Sequence, residues 1–146
     1  MKKKIRTVIN ILEVILILIL VYMLFFRKHR MVDIVNLDDI SEISVRTQMT
    51  DPPKELDVPK SEYKGLMDLL KGYTLKKIHR EIPKGWQYNF KIKTKSGENI
   101  SILFQGSDTI DSNGRKRAVG RVAINDKYYK VYGYSSDDFL YLFESK

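Results

Sequence analysis

The chain has 146 residues, with 26 Lys and Arg against 18 Asp and Glu for a formal charge of +8, and it has no cysteine. This length suits one domain with an appendage. The missing cysteine excludes disulfides, thiolate metal sites, a cysteine nucleophile and a lipid attached through Cys.

The charge excess sits at the start. Residues 1–30 hold seven of the basic side chains (Lys2, Lys3, Lys4, Arg6, Arg27, Lys28 and Arg30) and one acid, Glu13, which leaves 19 basic and 17 acidic side chains for residues 31–146. Lys and Arg gathered around an apolar run are the pattern of a membrane anchor, because neither enters hydrocarbon cheaply. A nucleic-acid partner, which needs a basic face on the folded domain, is not expected.

In chain order, a basic tail (1–7) precedes the apolar run Val8–Phe26, whose 19 residues span about 28 Å as a helix, close to a hydrocarbon core. Val14–Val21 contains no polar residue, and Tyr22, Phe25 and Phe26 stand at the far end, where rings favour the interface. A signal peptide is the competing reading. It needs small residues before the cut, but the first serine is Ser41, the first glycine is Gly65, and the alanines are Ala118 and Ala123. The run therefore reads as an uncleaved single-pass anchor. The basic tail favours a cytoplasmic N-terminus and an extracytoplasmic remainder. Asn10 and Glu13 lie three residues apart and share a helix face. They are a candidate contact with another membrane helix, or side chains that snorkel to water near the helix end.

Residues 27–39 read as a juxtamembrane linker that turns acidic at Asp33, Asp38 and Asp39. An α+β domain is expected over 40–146. Ile43, Val45 and Thr47 alternate with Ser44 and Arg46 as a first strand. Thr50-Asp51-Pro52-Pro53 is a loop. Pro59 suits a helix start, Tyr63, Leu66, Met67 and Leu70 make one apolar helix face, and Gly72 ends it. Trp86, Tyr88, Phe90, Ile92 and Thr94 alternate as a strand, turn at Lys95–Glu98, and return through Ile100, Ile102 and Phe104. Asp108–Gly114 reads as a polar loop. Val119–Ile124 and Lys127–Tyr132 form a hairpin around Asn125-Asp126. Ser135 and Asp138 make a capping box for a short helix carrying Phe139, Leu142 and Phe143. The expected fold is thus a small antiparallel sheet with one or two helices packed on one face.

Chemistry-bearing patterns are sparse. The two histidines, His29 and His79, have no metal-ligand spacing, and one strand-embedded His supports no triad. Asp137 and Asp138 read as helix N-terminal charges. Asp108, Asp111 and Asn113 before Gly114 only partly imitate a calcium loop, since Val119 stands where the closing Glu belongs. No glycine-rich phosphate cradle occurs, and Asn99-Ile100-Ser101 spells a glycosylation sequon on a strand. No catalytic residue, cofactor or metal is expected.

Two surface candidates stand out. Arg115, Lys116 and Arg117 with Arg121 are a basic cluster suited to anionic headgroups, an anionic polymer or an acidic partner; a solvated loop and strand edge is the plainer reading. Trp86 and Tyr88, with Tyr128, Tyr129, Tyr132 and Tyr134, are aromatics suited to an interface, of which alternation turns about half into the core.

The Met1-Lys2-Lys3-Lys4 start, the Ile40-Ser41-Glu42-Ile43-Ser44-Val45 strand, Lys60-Ser61-Glu62-Tyr63 opening a helix, the Asn125-Asp126-Lys127-Tyr128-Tyr129 hairpin and the Ser-led C-terminal helix together give a recognisable layout. It resembles the small membrane-anchored extracytoplasmic domains of unknown function found in low-GC Gram-positive bacteria. The resemblance implies an extracytoplasmic domain and supplies no catalytic residue.

The resulting expectation is a non-enzymatic, membrane-tethered module that meets a protein or an envelope polymer. An immunity or regulatory subunit docking on an integral membrane partner is the alternative, and an envelope hydrolase comes third.

Overall fold

A computed structural model of the chain describes residues 2–81, 85–110, 114 and 116–144. Helix α1 runs from Lys2 to Phe26. It is long and apolar enough to cross a membrane, and every side chain from Lys4 to Phe26 is exposed. It starts earlier than the apolar run because the preceding Lys and Arg are good helix formers. Near its end the Tyr22 and Phe26 rings stack at 5.7 Å.

Residues 27–39 are not a linker. Strand β1 (Lys28–Arg30) begins one residue after α1, and a 3-10 turn (Met31–Asp33) follows it. The Arg30 N–H donates to the Asp33 carboxylate at 3.0 Å, the Met31 N–H donates to the Tyr73 carbonyl at 3.1 Å, and Met31, Val35 and Leu37 are buried. Of the acids that suggest a linker, Asp33 and Asp38 are exposed and Asp39 is half-buried, and Asp38 pairs with Lys71 at 2.9 Å. The apolar residues between them enter the core.

Strands β2 (Ile40–Thr47) and β3 (Lys54–Asp57) form a hairpin around the proline loop, and β3 was not legible in the sequence. A 3-10 turn (Lys60–Glu62) leads into α2 (Tyr63–Gly72), which buries Leu66, Met67 and Leu70. Next come β4 (Thr74–Lys77), β5 (Tyr88–Thr94), β6 (Asn99–Ile110), β7 (Lys116–Ile124) and β8 (Lys127–Tyr132). The β7–β8 turn uses Asn125 and Asp126 at φ 45° and 64°, the left-handed pair that a two-residue hairpin demands.

The polar stretch from Asp108 is not all loop. Strand β6 continues to Ile110 and pairs with β7 back from Lys116, because partner-strand hydrogen bonds satisfy the backbone whatever the side chains are. The rest of the supposed calcium loop, Asp111–Asn113, lies outside the described residues. The C-terminal helix is shorter than its apolar spacing suggests: α3 covers Tyr141–Glu144, preceded by turns. Asp138 accepts the Ser135 N–H at 2.8 Å, half of the anticipated capping box.

Among the described residues eight strands form one antiparallel sheet in the order β1-β4-β8-β7-β6-β5-β2-β3. The strap after β1 and the α2 connection join opposite edges of the sheet, and their apolar residues share one hydrophobic cluster with the inward-facing strand residues. Phe139 sits among the rings of Phe90, Phe104 and Tyr88 at centroid distances of 4.8, 5.1 and 5.2 Å. The fold is α+β, with α2 and the C-terminal segment packed on one face.

Candidate docking surface

Directly paired residues of an antiparallel ladder share a face. Leu75, Val131 and Val122 point into the core, so their strand neighbours Lys76, Lys130 and Arg121 point away from it. The register then aligns four cations. Lys28 lies opposite Lys76, Lys76 opposite Lys130, and Lys130 opposite Arg121. With strands about 4.8 Å apart, the row crosses about 14 Å of sheet. Strands β1, β4, β7 and β8 together carry nine Lys or Arg residues and no Asp or Glu.

The row is packed against rings. The Lys28 and Lys130 ammonium groups lie 4.4 and 5.2 Å from the centroid of the Tyr132 ring, which they share. The Lys76 ammonium lies 5.0 Å from the ring of Phe26, the last residue of α1, and the neighbouring Phe25 ring lies 6.0 Å from His79. Such contacts hold cations by their attraction to the ring face. Neither Lys71–Asp38 nor Lys93–Glu42, the ion pairs found among the described residues, involves the row.

The candidates read from the sequence fall in different places. Arg121 belongs to this row. Lys116 and Arg117 open β7, opposite Ile110 and Thr109, in a two-stranded arm that extends past the ends of β5 and β8. Arg115 lies outside the described residues. Trp86 is half-buried, 5.8 Å from the Arg46 guanidinium, beyond the start of β5. Tyr88 is not on a contact surface. It is fully buried, its ring meets Phe139 and Phe143, and its hydroxyl donates to the Ser136 carbonyl at 2.7 Å. Its alternation with Phe90 and Ile92 turns it into the core. Tyr129 and Tyr134 are likewise buried, while Tyr128 and Tyr132 are half-buried on the opposite face. Asn10 and Glu13 are exposed on α1.

The tyrosines with raised ionisation belong to the fold. Burial holds the Tyr73 hydroxyl well above the usual phenol range, aided by its 2.7 Å hydrogen bond to Asp138. Burial also raises Tyr134, which donates to Gln87 at 2.6 Å. Tyr88 is pushed up to about 12 by burial, then by the charges of Asp137 and Asp138.

A second feature is an open depression of about 750 Å³ beside β2, where the short β3 has ended. Ile43, Ile92 and Ile100 contribute apolar wall, and Glu42, Asp57, Lys91 and Lys93 contribute charges of both signs. Tyr63 closes its backbone there by accepting the Ile43 N–H at 3.0 Å. Among the described residues no group of three or more His, Asp or Glu is placed to hold a metal.

Lys28, Lys76 and Lys130 escaped notice in the sequence as a group. Alternation marks Lys76 and Lys130 as outward, but they become neighbours only because β4 inserts between β1 and β8. No protein-family model matches the chain, and neither a curated protein nor a solved structure is detectably similar to it.

Proposed function

We propose that the chain is a single-pass membrane protein whose C-terminal domain stands outside the cytoplasm as a non-enzymatic interaction module for a protein or an envelope polymer. The junction of helix and sheet carries this reading. Helix α1 exposes apolar side chains along its length, and Arg27 alone separates it from β1. A bilayer suits such a helix, whose backbone is satisfied internally. The short junction holds the domain at the membrane surface, which raises its effective concentration toward neighbouring membrane components. The N-terminal excess of basic charge favours the extracytoplasmic side. The non-enzymatic part rests on the buried tyrosines. The hydroxyls of Tyr73, Tyr88 and Tyr134 are engaged in tying the C-terminal segment to the sheet.

The test uses Ser61→Cys, an exposed position in a chain without cysteine. Labelling of intact cells by a membrane-impermeant maleimide is expected. Labelling only after lysis would put the domain in the cytoplasm and overturn the topology. Crosslinking from the same position to a surface protein or envelope polymer is then the expected sign of the partner.

A second reading has its own observation. The 25 residues of α1 make about 37 Å of helix, more than the hydrocarbon thickness. With Phe26 at one boundary, Glu13 lies about 20 Å along the axis, still within hydrocarbon. An acid at that depth favours a polar partner on another membrane helix, as for a regulatory or immunity subunit. Replacing α1 with an unrelated apolar helix separates the two readings, since loss of function is expected only for the second.

A further inference from the structure

We propose that the row Lys28–Lys76–Lys130–Arg121 seats the sheet on the anionic phospholipid headgroups of the leaflet that α1 leaves. The inference rests on the membrane reading of α1 and goes beyond it. It makes the lipid surface a ligand of the domain and fixes which face of the sheet turns toward it.

Position is the first argument. Lys28 is two residues from the end of α1, and the Lys76 ammonium lies over the ring of Phe26. Phe26 is an interfacial anchor in this reading, so Lys76 lies at headgroup depth. Tyr132, between Lys28 and Lys130, is an amphipathic ring of the kind enriched at that depth.

Charge is the second argument. Like charges directly opposite on adjacent strands destabilise a sheet. This row places such pairs at three successive strand junctions, and its four strands contain no acid. Among the described strand residues, the acids on the same face, Glu42, Glu55 and Asp57, are on β2 and β3 at the far edge. The polarity of the sheet therefore runs from wholly basic beside the anchor to mixed away from it. An external anion offsets the repulsion, and basic groups gain from an anionic surface only within about a Debye length, roughly 8 Å at 0.15 M salt. The short tether keeps the row within that range.

The full chain would be reconstituted into nanodiscs of phosphatidylcholine alone or with one third phosphatidylglycerol. Fluorophores would be placed singly at Thr74→Cys, on the face of the row, and at Ser61→Cys, beside α2. A quencher carried on lipid headgroups reports proximity. In the anionic discs Thr74 is expected to be quenched at least twofold more than Ser61. That ratio should fall in phosphatidylcholine, in 0.5 M salt, and in the variant Lys28→Gln, Lys76→Gln, Lys130→Gln, Arg121→Gln, toward the residual difference that the short tether alone imposes. The salt arm tests the same point on unaltered protein if the variant folds poorly.

Equal quenching of the two sites in anionic discs overturns the proposal, as does a ratio that ignores lipid charge and salt. Uptake of soluble polyphosphate by the row, with Thr74 no closer to the lipid than Ser61, assigns the row to a soluble polyanion and also overturns it. Failure of the membrane reading looks different, because the chain then leaves the discs on an alkaline carbonate wash.

Discussion

Gly106 and Gly120 stand directly opposite each other in the β6–β7 ladder, and the Tyr134–Gln87 hydrogen bond spans the space their missing side chains leave. A Cβ on Gly120 would lie 2.5 Å from both Tyr134 Cδ1 and Val131 Cγ1, and one on Gly106 would lie 2.5 Å from Gln87 Oε1. Gly120→Ala is expected to cost about 1–3 kcal/mol through overpacking against two confined side chains. Gly106→Ala should cost less, about 1 kcal/mol, because Gln87 can swing away and forfeit one hydrogen bond. Thermal unfolding of the two variants in detergent checks the order; equal stability of Gly120→Ala and the parent would contradict this packing.

Phe139 is surrounded by rings from β5, β6 and the C-terminal segment itself. Phe139→Ala should destabilise the domain by about 3–5 kcal/mol, as large-to-small changes in a close-packed core do. Chemical denaturation followed by near-ultraviolet circular dichroism measures this. A change under about 1 kcal/mol would mean that the segment docks elsewhere.

Met31 separates an integral strap from a linker. It is fully buried and hydrogen-bonds through its backbone to Tyr73. Met31→Ala is expected to cost about 2–5 kcal/mol, whereas a change in an exposed linker stays within about 0.5 kcal/mol. A truncated chain starting at Lys28 should unfold cooperatively, and one starting at Ile40 should be clearly less stable. Matching denaturation midpoints for the two would restore the linker.

Alkali should loosen the fold through its tyrosines. The Tyr88 phenol is held up to about 12 in the folded state, against about 10 when unfolded. The folded state thus keeps its proton longer, so this contribution is complete below about pH 10 and disappears as pH rises through 12. Tyr73 and Tyr134 shift in the same direction. The urea midpoint should hold steady from about pH 7 to 9 and fall between about pH 10 and 12. Tyr88→Phe should make that fall shallower, and an undiminished slope in this variant would remove Tyr88 as a cause.

Periodicity made much of the molecule legible. The apolar run from Val8 to Phe26, the alternation from Tyr88 to Thr94, the Asn125-Asp126 turn and the face Leu66–Met67–Leu70 are local signals, because backbone geometry repeats every two or 3.6 residues. Tertiary structure decided what no repeat encodes. Met31, Val35 and Leu37 enter the core because a neighbouring sheet face is there to receive them; alternation puts Tyr88 on one face with Phe90 and Ile92, and tertiary packing made that face the covered one. The row of Lys28, Lys76, Lys130 and Arg121 exists only through pairings between strands distant in sequence. Each side chain's outward direction follows from the pleat of its own strand, whereas their adjacency depends on strand order, which long connections and the burial of the opposite face select.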